Sequence, residues 1–131
     1  MFITSPSMHT RLRTEIDNAI RAGRVSSPIT NAEALRLPYL QAVILEGLRI
    51  RSPFAGFPFK LVPPEGDTLD GKFVPGGTRV APGFPAFARS REVFGEDADE
   101  FRPERFLEAG EERAGEMRRV VELVFGYGQW G

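Results

Sequence analysis

Apolar residues at four-residue spacing predict an amphipathic helix near the start of the chain. Ser5 is its expected cap, Pro6 its first residue and Gly23 its terminator, each a favoured residue type at that place. The apolar stripe consists of Met8, Leu12, Ile16 and Ile20. A short helical turn is predicted next, capped by Asn31 and ending at Leu35.

A second long helix is predicted at 38–50, where Pro38 opens a run that is apolar almost all round. A short helix of this kind is expected to be buried inside a larger body, because it offers no polar face to water. Its charged residues Glu46 and Arg49 must then bind each other or a third group that completes their hydrogen bonds. The same Glu-x-x-Arg spacing recurs in two pairs for which an ordinary surface ion pair is the simplest interpretation, Glu33 with Arg36 and Glu116 with Arg119.

The segment from 53 to 85 holds seven of the eleven prolines, which break any helix and leave short strands as the remaining option. Residues 57–62 and 78–81 have an extended pattern, and Asp70-Gly71 is a two-residue hairpin signal. These elements predict a small antiparallel sheet.

The rest of the chain has weaker patterns. One helical turn is predicted at 86–89, followed by a polar connection with little periodicity at 91–105. Residues 108–119 carry four Glu and three Arg, and predict a solvated loop or an exposed helix. Residues 120–125 are apolar and strand-like.

Composition narrows the classes of function. The 131 residues include no cysteine and carry a net charge of -1, which excludes a disulfide scaffold, a cysteine-ligated metal within these residues and strong attraction to nucleic acid. The single histidine, His9, is expected to be a surface or packing residue. Without a run of 18 apolar residues, the chain itself is expected to be soluble. It contains no repeat or linker, but its buried helix and glycine-rich end indicate part of a larger fold.

Two further segments are candidates for chemistry. In residues 101–106 two phenylalanines flank a cluster of arginines, a pattern that either packs as a loop or docks guanidinium groups into a buried acceptor. Gly126, Gly128 and Gly131 spell G-x-G-x-x-G after the strand-like residues 120–125. A dinucleotide site would need a following helix and an acidic residue about 20 positions later, so this alternative is remote.

In order and spacing, these elements resemble the C-terminal part of a cytochrome P-450, a haem-thiolate monooxygenase. Residues 46–49 (Glu-Gly-Leu-Arg) are similar to the Glu-x-x-Arg of the family's K helix, 103–106 (Pro-Glu-Arg-Phe) to its PERF motif, and 125–128 (Phe-Gly-Tyr-Gly) to the start of its haem-binding loop. Residues 62–68 and 73–78 look closest to fungal members of the benzoate-hydroxylase or pisatin-demethylase type.

The resemblance implies a mainly α fold with a small antiparallel β-sheet (α+β), in which 1–131 is the C-terminal part of one cytochrome P-450 domain truncated at both ends. It would comprise the J helix, the K helix, the small sheet, the meander and the start of the haem loop. The resemblance also implies a structural triad, in which Arg105 of PERF locks onto Glu46 and Arg49.

The implied cofactor of the complete protein is haem b, held by a cysteine directly after Gly131. The chain then has no catalytic residue or metal ligand of its own and is not expected to bind haem stably. Trp130 stands where the family pattern has arginine, whereas Lys60 keeps the charge of a cation that reaches a haem propionate in many members. The residues implied to surround haem are Lys60, Phe125, Gly126, Gly128 and Trp130, and those implied to face substrate are Phe54, Phe57 and Phe59.

A complete relative would receive electrons from an NADPH-dependent cytochrome reductase at the endoplasmic reticulum membrane. It would insert one oxygen atom from dioxygen into a small apolar organic substrate. The alternative is that the chain is a non-catalytic truncated product or an α+β interaction fragment. The codon after Gly131 distinguishes these hypotheses.

Overall fold

The computed structural model describes residues 5–53 and 59–126. Its first three helices are α1 (Pro6–Arg21), α2 (Asn31–Ala34) and α3 (Pro38–Ile50), which confirms the helices predicted in this half of the chain. The predicted cap of α2 was one residue late. Thr30, not Asn31, is the N-cap, because its side chain accepts from the Glu33 amide while the Glu33 carboxylate accepts from the Thr30 amide.

The proline-rich segment forms four short strands in two antiparallel pairs. Strand β1 (Lys60–Leu61) pairs with β4 (Arg79–Val80), and β2 (Asp67–Leu69) pairs with β3 (Lys72–Val74). The predicted hairpin turn joins β2 to β3, with φ of 49° at Asp70 and 72° at Gly71, as a type I′ turn requires. Antiparallel pairing is thus confirmed, and the strands form two small sheets.

The second half of the chain is more helical than its pattern predicts. It contains α4 (Phe84–Ala88), α5 (Arg91–Phe94), α6 (Arg105–Glu108), α7 (Glu111–Glu122) and a 3₁₀ turn at Leu123–Phe125. The strand-like interpretation of residues 120–125 was wrong, because α7 and the 3₁₀ turn take up this stretch. The preceding strand that a dinucleotide fingerprint requires is therefore missing.

The core lies where α3, α5, α6 and α7 meet. Its cluster of buried apolar residues consists of Ala42, Phe94, Ala98, Phe106, Met117 and Val121. Helix α7 is exposed on its charged side, as predicted, but it buries a stripe at a spacing of three and four residues, made of Ala114, Met117 and Val121.

The apolar stripe predicted for α1 becomes its buried face only in part. Met8, Leu12 and Ile16 of the stripe are partly buried and Ala19 beside them is fully buried, while Ile20 is 57% exposed. Helix α3 likewise buries Tyr39, Ala42, Glu46 and Arg49 on one face and leaves Ile44 exposed on another. Within the described residues, no helix is long and apolar enough to cross a membrane.

Candidate functional site

A fully buried ion pair lies on the inner face of α3. The helix places Glu46 and Arg49 three residues apart, so their side chains meet on one face. Arg49 donates from Nε to Glu46 Oε2 and from Nη2 to Glu46 Oε1, each at 2.8 Å. Both side chains have no exposed surface, and the contact is the planar, two-point pairing for which arginine is suited.

The segment before α6 and the first residue of α6 donate the remaining hydrogen bonds to Glu46. Arg105 donates from Nε to Glu46 Oε1 at 3.1 Å, and the backbone N–H of Arg102 donates to the same oxygen at 2.8 Å. The structure thus brings together the three residues of the predicted triad. The third group that burial of the Glu46–Arg49 pair required is Arg105.

Arg49 uses all five of its N–H groups. Besides its two bonds to Glu46, it donates from Nη1 to the carbonyl oxygens of Ala88 at 2.6 Å and Ala98 at 2.5 Å, and from Nη2 to that of Glu100 at 2.9 Å. Its guanidinium carbon also lies 4.9 Å from the centre of the Phe94 ring. One arginine therefore ties α3 to the end of α4 and to the loop between α5 and α6.

Arg105 is saturated in the same way. Its Nη1 donates to the Phe94 carbonyl at 2.5 Å and to Asp97 Oδ1 at 2.9 Å, and its Nη2 donates to the carbonyls of Asp97 at 2.9 Å and Glu100 at 3.2 Å. Together with the bond to Glu46, these five donations fold the loop between α5 and α6 around one guanidinium. The aperiodic loop is thus held by hydrogen bonds from arginine to its backbone carbonyls.

The cluster is balanced in charge and in hydrogen bonds. The carboxylates of Glu46 and Asp97 oppose the guanidinium groups of Arg49 and Arg105. Among the residues that the structure describes, no buried side-chain nitrogen or oxygen lacks a hydrogen-bond partner. Full pairing is the condition under which buried charges are tolerated, because each unpaired charge would forfeit its hydration without compensation.

Asp97 is the member of this cluster that sequence analysis missed. It accepts from Arg105 Nη1 and, at 2.5 Å, from Arg102 Nε. Burial by itself would raise the pKa of Asp97, but the hydrogen bonds from Arg105 and Arg102 outweigh it and hold the pKa below the ordinary value of 3.8. In the sequence, Asp97 is one of several acidic residues within a short stretch, and nothing there distinguishes it from the exposed Asp99 two positions later.

The lowered pKa of Asp97 predicts a loss of stability in acid. A carboxyl whose pKa is lower in the folded than in the unfolded state stabilises the fold above its unfolded pKa, and this contribution is lost as pH falls through the folded value. We expect Asp97→Asn to reduce the free energy of unfolding near neutral pH and to flatten its decline between about pH 5 and pH 2. Denaturant titrations across that range measure both effects.

Asp99→Asn is the matched control, since the Asp99 side chain is 64% exposed and pairs with Arg89 on the surface. It should leave the acid dependence unchanged. Equal slopes for wild type and Asp97→Asn would contradict the role of the Asp97 charge.

Comparison with known proteins decides the family. The family model described as cytochrome P-450 matches residues 1–129. The chain belongs to the cytochrome P-450 family. This confirms the predicted family, and with it the expectation of a mainly α partial cytochrome P-450 fold; α1 corresponds to the predicted J helix and α3 to the predicted K helix.

Curated relatives are fungal cytochrome P-450 monooxygenases. The chain is 49% identical over 128 residues to monooxygenase abl1 of Leptosphaeria maculans, covering 98% of this chain and 22% of that protein. It is 48% identical over 128 residues to aba1 of Botryotinia fuckeliana (98% of this chain, 25% of that protein). It is 45% identical over 127 residues to cicH of Emericella nidulans (96% and 25%). The chain thus spans about a quarter of the length of these relatives.

The remaining predicted site residues that the structure describes form no hydrogen bond with the triad in this cytochrome P-450 segment. Lys60 is exposed on β1, opposite Val80 of β4. Phe59 is half exposed and lies under Arg79, whose guanidinium carbon is 4.6 Å from the ring centre. Phe54, Phe57, Gly128 and Trp130 fall outside the described residues.

Phe125 and Gly126, two of the residues implied to surround haem, lie at the end of the described part of the chain. Phe125 is 58% exposed at the end of the 3₁₀ turn, and Gly126 follows with a φ of 90°, which turns the chain where a side chain would be strained. Lys60 is exposed, and no ion pair within residues 5–53 and 59–126 involves it. Haem has an apolar face and anionic propionates, so an exposed aromatic ring and an exposed cation suit it in kind.

Proposed function

We propose that this segment is the scaffold of a haem-thiolate monooxygenase, which inserts one oxygen atom from dioxygen into an apolar organic substrate. The observation that carries the proposal is the saturated cluster of Glu46, Arg49 and Arg105 in a chain of this family. The parent protein, meaning the longest natural protein that contains this sequence, would carry haem b and take electrons from an NADPH-dependent reductase at the endoplasmic reticulum membrane.

Haem, bound through a cysteine thiolate, would supply the chemistry of oxygen activation. The residues of this segment would hold structural elements in place and would take no part in the reaction. Glu46, Arg49 and Arg105 fix α3 against the loop that precedes α6. Phe125 would pack beside the ligand loop, Gly126 would let that loop turn, and Lys60 would hold a propionate.

The exposure of Phe59 supports its place on the substrate side, because it lies close in the sequence to the other residues implied to face substrate. Half of its surface is free, and Arg79 covers one face of the ring. We assign Phe59, together with Phe54 and Phe57, to the substrate side of the parent protein. Gly128 and Trp130 are assigned by family position to the surroundings of haem.

Two measurements test the proposed function. Sequencing the transcript beyond Gly131 should show a cysteine codon next; a stop codon there would favour a non-catalytic product. The parent protein, reduced and exposed to carbon monoxide, should show the difference band of thiolate-ligated haem. The 131-residue chain expressed alone should not show it, because the expected ligand is the residue after Gly131. A thiolate band from the chain alone would contradict this placement of the ligand.

A further inference from the structure

A second polar cluster ties α1 to the beginning of α3. The carboxylate of Glu15, in the middle of α1, accepts from the backbone N–H of Tyr39 through Oε1 and from that of Leu40 through Oε2, each at 2.9 Å. These two amides belong to the first turn of α3. A side chain 24 residues upstream therefore caps the helix that carries Glu46 and Arg49.

Helix α3 needs this cap because its own sequence cannot supply one. Its N-cap residue, Leu37, has no polar side chain, and its first residue, Pro38, has no N–H. The first two amides that require a partner are those of Tyr39 and Leu40, and Glu15 serves both. A carboxylate at this end of a helix is also favoured by the helix dipole.

The same end of α3 holds the glutamate of the PERF motif. The Tyr39 hydroxyl donates to Glu104 Oε1 at 2.9 Å, and Arg11 Nη1 donates to the same oxygen at 3.1 Å. The Arg11 guanidinium carbon lies 4.3 Å from the centre of the Tyr39 ring. Burial, together with the hydrogen bond to Glu104, raises the pKa of Tyr39 to about 12, so its hydroxyl stays protonated as a donor.

Glu104 and Arg105 are adjacent, yet they bond to positions that lie seven residues apart along α3. Glu104 reaches Tyr39 in the first turn, and Arg105 reaches Glu46, seven residues further along the helix. Seven residues correspond to about 10 Å along the helix axis. Two attachments about 10 Å apart constrain the orientation of α3 against α6 more tightly than either attachment does alone.

We propose that Arg11, Glu15, Tyr39 and Glu104, here called the outer clamp, are positioning residues that set the orientation of α3 and thereby bring Glu46 within reach of Arg105. Their relevance to haem rests on the proposed function, but their effect on α3 does not. Neither apolar periodicity nor the family motifs point to this role, because the clamp residues come from three separate segments.

Hydrogen exchange followed by mass spectrometry on the parent protein tests the clamp without reference to haem. Glu15→Gln keeps the size of the side chain but loses one acceptor and the charge. In this variant the amides of residues 39–42 should exchange about fivefold faster. Asp17→Asn is the matched control, since it makes the same chemical change one half-turn away, where Asp17 is half exposed and pairs with Arg13. It should leave this segment unchanged.

Tyr39→Phe tests the second attachment by removing one hydroxyl. It should accelerate amide exchange in residues 102–106. Added to Glu104→Ala, the same substitution should have no further effect, because the Tyr39 hydroxyl has then already lost its partner. Uniform acceleration across α5 and α7 in either variant, equal acceleration in Asp17→Asn, or additive effects of Tyr39→Phe and Glu104→Ala would overturn the proposal.

A spectroscopic measurement tests whether the outer clamp affects haem ligation. In the reduced carbon-monoxide complex of the parent protein, Glu15→Gln should lower the thiolate-ligated fraction at least twofold, while Asp17→Asn should match wild type. Faster exchange at residues 39–42 with an unchanged thiolate-ligated fraction would overturn a positioning role toward haem. Absence of the band from wild type would instead overturn the proposed function and leave the exchange result to decide the clamp.

Discussion

Glu46→Ala is expected to destabilise the fold by about 3–5 kcal/mol and to abolish haem incorporation by the parent protein. The substitution leaves the guanidinium groups of Arg49 and Arg105 facing each other in the interior without their shared carboxylate, and it leaves the Arg102 amide without its acceptor. Buried charges of one sign repel strongly and cannot recover hydration. Denaturant unfolding measures the loss of stability, and haem content per protein measures the loss of cofactor.

Glu116→Ala is the control for this experiment. Glu116 accepts from Arg113 at 2.7 Å with the same three-residue spacing, but both side chains are more than 40% exposed. We expect a change of less than about 1 kcal/mol and normal haem content, because water replaces the lost partner. Holoprotein yield from Glu46→Ala equal to that of wild type would show that the buried cluster does not support the haem site.

Arg49→Lys is expected to cost about 2–4 kcal/mol although it preserves charge. Lysine has three donors on one nitrogen, whereas the site presents two oxygens of Glu46 and the carbonyls of Ala88, Ala98 and Glu100. At least two buried acceptors therefore lose their partners. A shifted denaturation midpoint with an unchanged slope would report this loss.

The matched control is Arg89→Lys, which changes one surface bond of 3.0 Å to Asp99. A lysine can replace that bond, so stability should change by less than about 0.5 kcal/mol. Equal effects of Arg49→Lys and Arg89→Lys would show that charge alone, rather than the geometry of the guanidinium, holds the cluster together.

Much of the secondary structure could be predicted because its signals are local. Pro6 and Pro38 open α1 and α3 as expected, and Asp70-Gly71 forms the hairpin turn. The strand prediction at 120–125 failed because its local signal was ambiguous. The stretch 120–125 is apolar without clear periodicity, and such a stretch does not distinguish a strand from the end of a helix.

The choice of buried face could be predicted only in part from hydrophobicity. In α1, the apolar stripe is partly buried except at Ile20, while Glu15 and Arg11 make polar contacts to α3 and Glu104. Periodicity counts apolar residues, but it does not register that the amides of another helix need an acceptor. The same limit applies to the buried cluster. Nothing in the sequence distinguishes Asp97, or the residues whose carbonyls accept from the arginines, from their neighbours.

The sequence by itself determined that Glu46 and Arg49 must bind each other or a third group, because charges in an apolar helix cannot be buried without partners. Only the tertiary structure decided how that need is met. Arg105 arrives from 59 residues away, Asp97 balances its charge, and backbone carbonyls saturate both guanidinium groups. Backbone carbonyls are the same in every residue, so the position of these acceptors depends on how the chain folds and not on which side chains it carries.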